Sequence, residues 1–189
     1  MSTDAGEPNA PVIPVVDLGR FDDGGDARQA LARDLGAALG EWGFVGIRGH
    51  GISDDLRDRT YAATQKLFDL DEATKRKHFL EGTGGQRGYT PFGVEVAKDH
   101  DIADLKEFWH VGPEPPSRED MMGNEFPDEV PEFKEVILEL YATLTGVGAR
   151  VLELVAMHLG LPTDYFTDKV DHADTIMRPL HYPPVKTPE

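Results

Sequence analysis

Thr175-Ile176-Met177-Arg178-Pro179-Leu180-His181-Tyr182-Pro183-Pro184 is the stretch on which the reading of the fold turns. Its first eight residues are a strand candidate: alternation puts Ile176, Arg178, Leu180 and Tyr182 on one face, and Met177, Pro179 and His181 on the other. The two prolines then end it, because neither can donate to a ladder. A strand reached this late needs partners, and what precedes it determines whether the sheet it joins is complete.

Immediately upstream lies the most regular segment, from about Pro131 to Gly160. Phe133, Val136, Ile137, Leu140, Leu144, Val147, Val151, Val155 and Leu159 recur at helical spacing, predicting a spine helix buried along one stripe. Gly160-Leu161-Pro162 stops it. Before it, Leu105 to Val111 reads as a strand followed by a proline-rich connection, and Gly82 to Gly88 as a loop. Ser53 begins a helix as N-cap, with Asp54 and Asp55 at the positive end, and a shorter helix starts near Asp71. Towards the N-terminus, Ile13 to Leu18 predicts a strand and Phe21 to Asp26 a turn. Ala27 to Trp42 predicts an amphipathic helix ended by Gly43, and Phe44 to Ile47 a second strand, a βαβ-like crossover. Residues 1–11 are polar and read as a mobile arm, leaving 12–189 as the folded region. The class is mixed α/β, but four strand candidates beside a long helix leave edges open, so the sheet reads as unfinished.

Composition narrows the chemistry. Cysteine is absent, which removes disulfides, thiolate nucleophiles and Cys-ligated metals. Thirty-five acids against nineteen bases give a net charge of −16, which repels nucleic-acid phosphates and anionic lipid. No uninterrupted apolar run reaches about 18 residues, and the first ten residues resemble no leader, so a cytoplasmic protein without membrane or nucleic-acid partners is expected. The only serines are Ser2, Ser53 and Ser117, and none sits in a nucleophile elbow. The run Gly82-Thr83-Gly84-Gly85-Gln86-Arg87-Gly88 follows a helix rather than a strand, and Arg87 stands where a dinucleotide fingerprint needs glycine. His172-Ala173-Asp174 has the form of the His-x-Asp pair that opens a two-His-one-carboxylate iron site. Only His181 follows it, so the pair reads as a surface loop and no metal ligand is assigned.

Several local patterns occur together in one order. They are Pro14-Val15-Val16-Asp17-Leu18, Trp42-Gly43-Phe44-Val45 leading to His50-Gly51-Ile52, and Phe68-Asp69-Leu70 with Lys75. Then come Arg87-Gly88-Tyr89, Asp104-Leu105-Lys106-Glu107-Phe108, Asn124-Glu125-Phe126-Pro127 with Pro131 and Phe133, and Arg178 to Pro184. In this combination the chain resembles the isopenicillin N synthase-like branch of the non-haem iron(II), 2-oxoglutarate-dependent dioxygenases.

The resemblance implies helices packed on the first strands of a double-stranded β-helix, a distorted jelly roll left incomplete here. The stretch 175–182 would be its first barrel strand. It implies an oxidoreductase that, when complete, uses Fe(II), oxygen and 2-oxoglutarate to oxidise a small molecule, and that is expected to be a monomer. The family's iron ligands follow the segment ending in Tyr-Pro, so no catalytic or metal residue and no cofactor is expected for this chain alone. A stand-alone interaction or regulatory module derived from the same region is the alternative. By the same resemblance Tyr182 points into the barrel near substrate or co-substrate, and Arg178 shares its face. Arg87 and Tyr89 border the substrate entrance, Glu107 and Trp109 give structural support, and His50-Gly51 is a turn.

Overall fold

A computed structural model describes residues 12–95, 104–171 and 173–184; the expected arm and His172 lie outside them. The elements are β1 (Val15–Asp17), α1 (Gly25–Trp42), β2 (Gly46–Arg48), α2 (Asp54–Asp69), α3 (Glu72–Arg76), β3 (Gly88–Thr90), β4 (Glu107–His110), α4 (Pro131–His158), α5 (Thr167–Val170) and β5 (Leu180–His181). The chain divides into two compact units, Met1–Gly51 with Val147–Asp168, and Ile52–Gly146 with Lys169–Glu189.

In the first unit β1 and β2 run parallel, Val16 opposite Ile47, with α1 as the crossover. Gly43 ends α1 at a positive φ of 75°, its N–H returning to the Leu39 carbonyl. Leu31, Ala32 and Leu35 pack on Val16, Leu18, Phe21 and the late turns of α4 at Val147 and Leu154. A Cβ at Gly36 would lie 2.1 Å from the His158 ring, so the approach of these helices requires glycine there. The turn expected from Phe21 is a 3-10 helix over Leu18–Asp23, capped by the Asp17 carboxylate, which accepts the Gly19 N–H at 3.0 Å.

In the second unit Ser53 caps α2 through the Leu56 N–H, and Asp71 caps α3 through the Thr74 N–H. β3, β4 and β5 form an antiparallel sheet in that order. β3 starts at the last residue of the loop expected over Gly82 to Gly88, where no strand was expected. It is short and begins at Gly88, whose φ of 71° and closeness to the His78 carbonyl admit no side chain.

The spine helix forms, and Gly160 with the Leu161 N–H returning to the Ala156 carbonyl closes it. Its single buried stripe does not. Phe133, Val136 and Ile137 join the second unit's core and Val147, Leu154 and Ala156 are buried in the first, while residues 139–146 include no buried side chain. Leu144, expected on the stripe, is 40% exposed. The correction is geometric: α4 serves two cores at its two ends, so no one face need be covered throughout. By length and mean hydropathy (1.3 over 18 residues) α4 also matches a membrane span, a test that apolar core helices pass as well.

Candidate functional site

Paired residues in a sheet point to the same side, so the register of β3–β4–β5 sorts its side chains into two faces. Tyr89 opposite Trp109 and Glu107 opposite His181 lie on one face. There Tyr89, Trp109, Val111 and Met177 pack against Ala63, Leu67 and Phe68 of α2 and Phe133, Val136 and Ile137 of α4. Thr90 opposite Phe108, and Phe108 opposite Leu180, lie on the other. The strand expected over 175–182 is shorter, β5 at Leu180–His181 with an isolated Met177–Val111 bridge before it, and alternation through 177–182 adds Arg178 and Tyr182 to that second face.

The helix-packed face holds a buried polar cluster. The Lys75 ammonium donates to both oxygens of Glu107, at 3.0 and 2.8 Å, and to the Phe68 carbonyl at 3.0 Å. Tyr89 donates its phenol hydrogen to Glu107 at 2.5 Å, and His181 donates through Nδ1 at 2.7 Å. Burial alone would push the Glu107 carboxyl up. The hydrogen bonds from Lys75, Tyr89 and His181 outweigh it and hold the group below its ordinary value. The Tyr89 phenol is pushed far up, by burial first and then by the Glu107 carboxylate. Every member has its partner, which is the condition for burying charge at all.

The outward face is built around His110. Its Nδ1 donates to the Gly85 carbonyl and its Nε2 accepts the Arg178 Nε–H, so the ring is neutral with its proton on Nδ1. Burial, then the Arg178 and Arg87 cations, lower its pKa against the pull of Gly85 and Glu95. The Arg178 guanidinium carbon lies 4.3 Å above the Phe108 ring. Its NH1 meets the Glu95 carboxylate at 3.3 and 3.4 Å, and Lys106 grips Glu95 at 2.8 Å. Glu95 is held below its usual range, by Lys106 first and Arg178 after it, against burial. Leu180 and Tyr182 complete the face, Tyr182 with 63% of its surface exposed.

The sequence-predicted residues therefore part company. Arg178 and Tyr182 share the outward face. Arg87 and Tyr89, expected beside an entrance, are both inside: Arg87 is 1% exposed and pairs with Asp174 at 2.5 Å, its guanidinium packed on Gly112. Tyr89 has no exposed surface, because β3 turns it into the core and Glu107 takes its hydroxyl. Glu107 and Trp109 are buried together. His110, Glu95 and Lys75 were missed as site residues; the one signal for His110 was its place two residues after Phe108 on a strand. Among the described residues no three His, Asp or Glu side chains converge to hold a metal ion, so they do not fit the iron that the resemblance implies. A cavity of about 450 Å³ in the first unit is lined by Pro14, Asp17, Arg20, Asp34, Glu41 and Arg48 among others; Arg48 pairs with Asp17 and Arg20 with Asp34 across it.

Residues 13–132 match the family model described as non-haem dioxygenase in morphine synthesis N-terminal. The validamycin A dioxygenase of Streptomyces hygroscopicus subsp. limoneus is 30% identical over 185 residues, covering 93% of this chain and 51% of the relative. A 2OG-Fe(II) oxygenase family protein from Caulobacter crescentus superposes with a TM-score of 0.82 at 35% identity, over 95% of this chain and 59% of that one. A full-length Neurospora crassa protein solved in complex with alpha-KG superposes with a TM-score of 0.81 at 26% identity, over 99% of this chain and 59% of that one. The chain thus spans a little over half the length of the relatives it matches.

Proposed function

Because this chain belongs to the non-haem dioxygenase family whose N-terminal model it matches, we propose that it is the N-terminal portion of an Fe(II)- and 2-oxoglutarate-dependent oxygenase acting on a small molecule. One observation carries the reading: nearly the whole chain superposes on the Caulobacter oxygenase, yet it spans only 59% of that protein. On this reading β5 is the first strand of a jelly roll, with β4 and β3 paired beside it, and the outward face of the three looks into the ligand cavity.

Iron held by residues other than those described would supply the oxygen activation and the oxidising step. The chain's own part is to shape and orient. Arg178 presents a guanidinium from between Met177 and Pro179, both bonded to β4 or its extension, and Tyr182 a phenol just past β5, and both can receive a carboxylate. Phe108 and Leu180 give that face an apolar floor that limits water. Lys75, Glu107, Tyr89 and His181 brace the sheet from behind, so the outward groups stay in register.

The test is iron-dependent release of succinate from 2-oxoglutarate by protein expressed from the complete reading frame. Turnover supports the reading. A folded complete protein that binds neither iron nor 2-oxoglutarate contradicts it and favours the non-catalytic module.

A further inference from the structure

We infer that His110 is a positioning residue that aims the Arg178 guanidinium at a carboxylate of the bound small molecule, an inference that rests on the outward face of β5 being the ligand face. An arginine side chain has many rotamers, and fixing it costs entropy that specific contacts must offset. Here two different contacts hold it. His110 takes the Nε–H, the donor nearest the chain, and the Phe108 ring takes one flat side of the guanidinium at 4.3 Å. What remains outward is the terminal edge, whose N–H groups match the two oxygens of a carboxylate.

His110 can do this only as one tautomer. The Gly85 carbonyl accepts from Nδ1, and Nε2, which receives the Arg178 Nε–H, must be the nitrogen without a hydrogen. The ring is 5% exposed and lies 4.8 Å from Phe108, which leaves it little freedom to turn. A buried imidazole oriented by a carbonyl and presenting its other nitrogen to a functional group is the usual means of fixing such a group from behind.

The terminal edge already carries a carboxylate, though loosely. Glu95 lies 3.3 and 3.4 Å from NH1, longer than the roughly 2.7–2.9 Å of a firm charge-assisted bond. Glu95 is instead held at 2.8 Å by Lys106. The Arg178 side chain keeps 37% of its surface exposed. A guanidinium fixed on its inner side and weakly engaged on its outer one suits an incoming carboxylate, whether from the co-substrate or from an organic-acid substrate.

The experiment follows the Arg178 Nε–Hε resonance of protein expressed from the complete reading frame by ¹H–¹⁵N NMR, with 2-oxoglutarate and phenylacetate as separate probes. His110→Phe removes both ring nitrogens; His110→Gln restores an acceptor near the Nε2 position. In the wild-type protein the resonance should be resolved, protected from exchange, and shifted by at least one probe. His110→Phe should abolish the protection and weaken probe binding about fivefold or more, while His110→Gln stays within about twofold. The Trp109 indole signal, bonded to the Glu125 carbonyl, reports that each variant is folded. Unchanged protection and affinity in folded His110→Phe would overturn the assignment. If neither probe moves the resonance, the carboxylate role falls, and protection in the variants still decides whether His110 positions Arg178. A response to 2-oxoglutarate alone assigns the seat to the co-substrate, and a response to phenylacetate alone to the substrate. Succinate release by the complete protein tests the oxygenase reading separately.

Discussion

The Glu107 carboxylate receives the Lys75 ammonium through both of its oxygens, and neither side chain exposes more than 6% of its surface. Lys75 lies near the end of α3 and Glu107 opens β4, so this bond ties a helix to the central strand of the second unit's sheet. Removing one partner strands a charge. Lys75→Met should therefore cost about 3–5 kcal/mol in urea unfolding, and Glu107→Gln a smaller but clear amount. The pair replaced together by Met and Leu should cost less than the sum of the single changes. Simple additivity would mean that the two do not act as a pair.

Acid should weaken the fold in two stages. His110 has a folded pKa below its ordinary 6.5, lowered mainly by burial, so the unfolded chain binds a proton the native one refuses. Its contribution is present above about pH 6.5 and is lost as pH falls through the folded value. Glu107, held below its ordinary 4.5 by Lys75, Tyr89 and His181 against burial, adds a loss at lower pH. Midpoints of urea unfolding should decline from about pH 7 to 5 and again below about pH 4.5, and His110→Gln should flatten only the first decline. Flat stability from about pH 7 to 5 in the wild type would contradict the buried neutral imidazole.

Along α4, Leu154 is fully buried whereas Leu144 is 40% exposed. Leu154→Asp should unfold or aggregate the chain, because an unpaired buried carboxylate costs several kcal/mol. Leu144→Asp should shift the denaturation midpoint far less. Similar losses from both would show a covering of the helix's middle turns that the described residues do not provide.

How far each of these could be read in advance depended on the length of the pattern. The crossover from β1 to β2, the caps at Ser53 and Asp71 and the stop at Gly160 are local, and each depends on a residue type with one physical use. Alternation at β5 correctly separates His181 from Arg178, and their two sets of partners confirm the faces. β3 was illegible because three residues after a glycine-rich run carry no periodicity. The burial of Arg87 depends on Asp174, 87 residues away, and no local rule reports such a distance. The apolar stripe of α4 overstated burial because periodicity shows which positions share a face, not whether anything lies against it.

The purified chain should bind Fe(II) weakly and release no succinate. No metal-holding trio converges among the described residues, and His181 is engaged with Glu107. Anaerobic iron titration with a succinate assay checks this. Stoichiometric micromolar binding lost on His172→Ala would contradict it and give His172-Ala173-Asp174 the role withheld from it.

If the outward face at β5 is the ligand face, then Tyr182, its most exposed polar member, meets the ligand. The most direct measurement is the KM for 2-oxoglutarate and for substrate in succinate release by the complete protein, wild type against Tyr182→Phe. Loss of one hydrogen bond worth about 0.5–1.5 kcal/mol should raise one of these constants about two- to twelve-fold. The melting temperature should barely move, since the hydroxyl supports no core contact. Unchanged constants for both ligands, in a variant that still turns over 2-oxoglutarate, would contradict the claim.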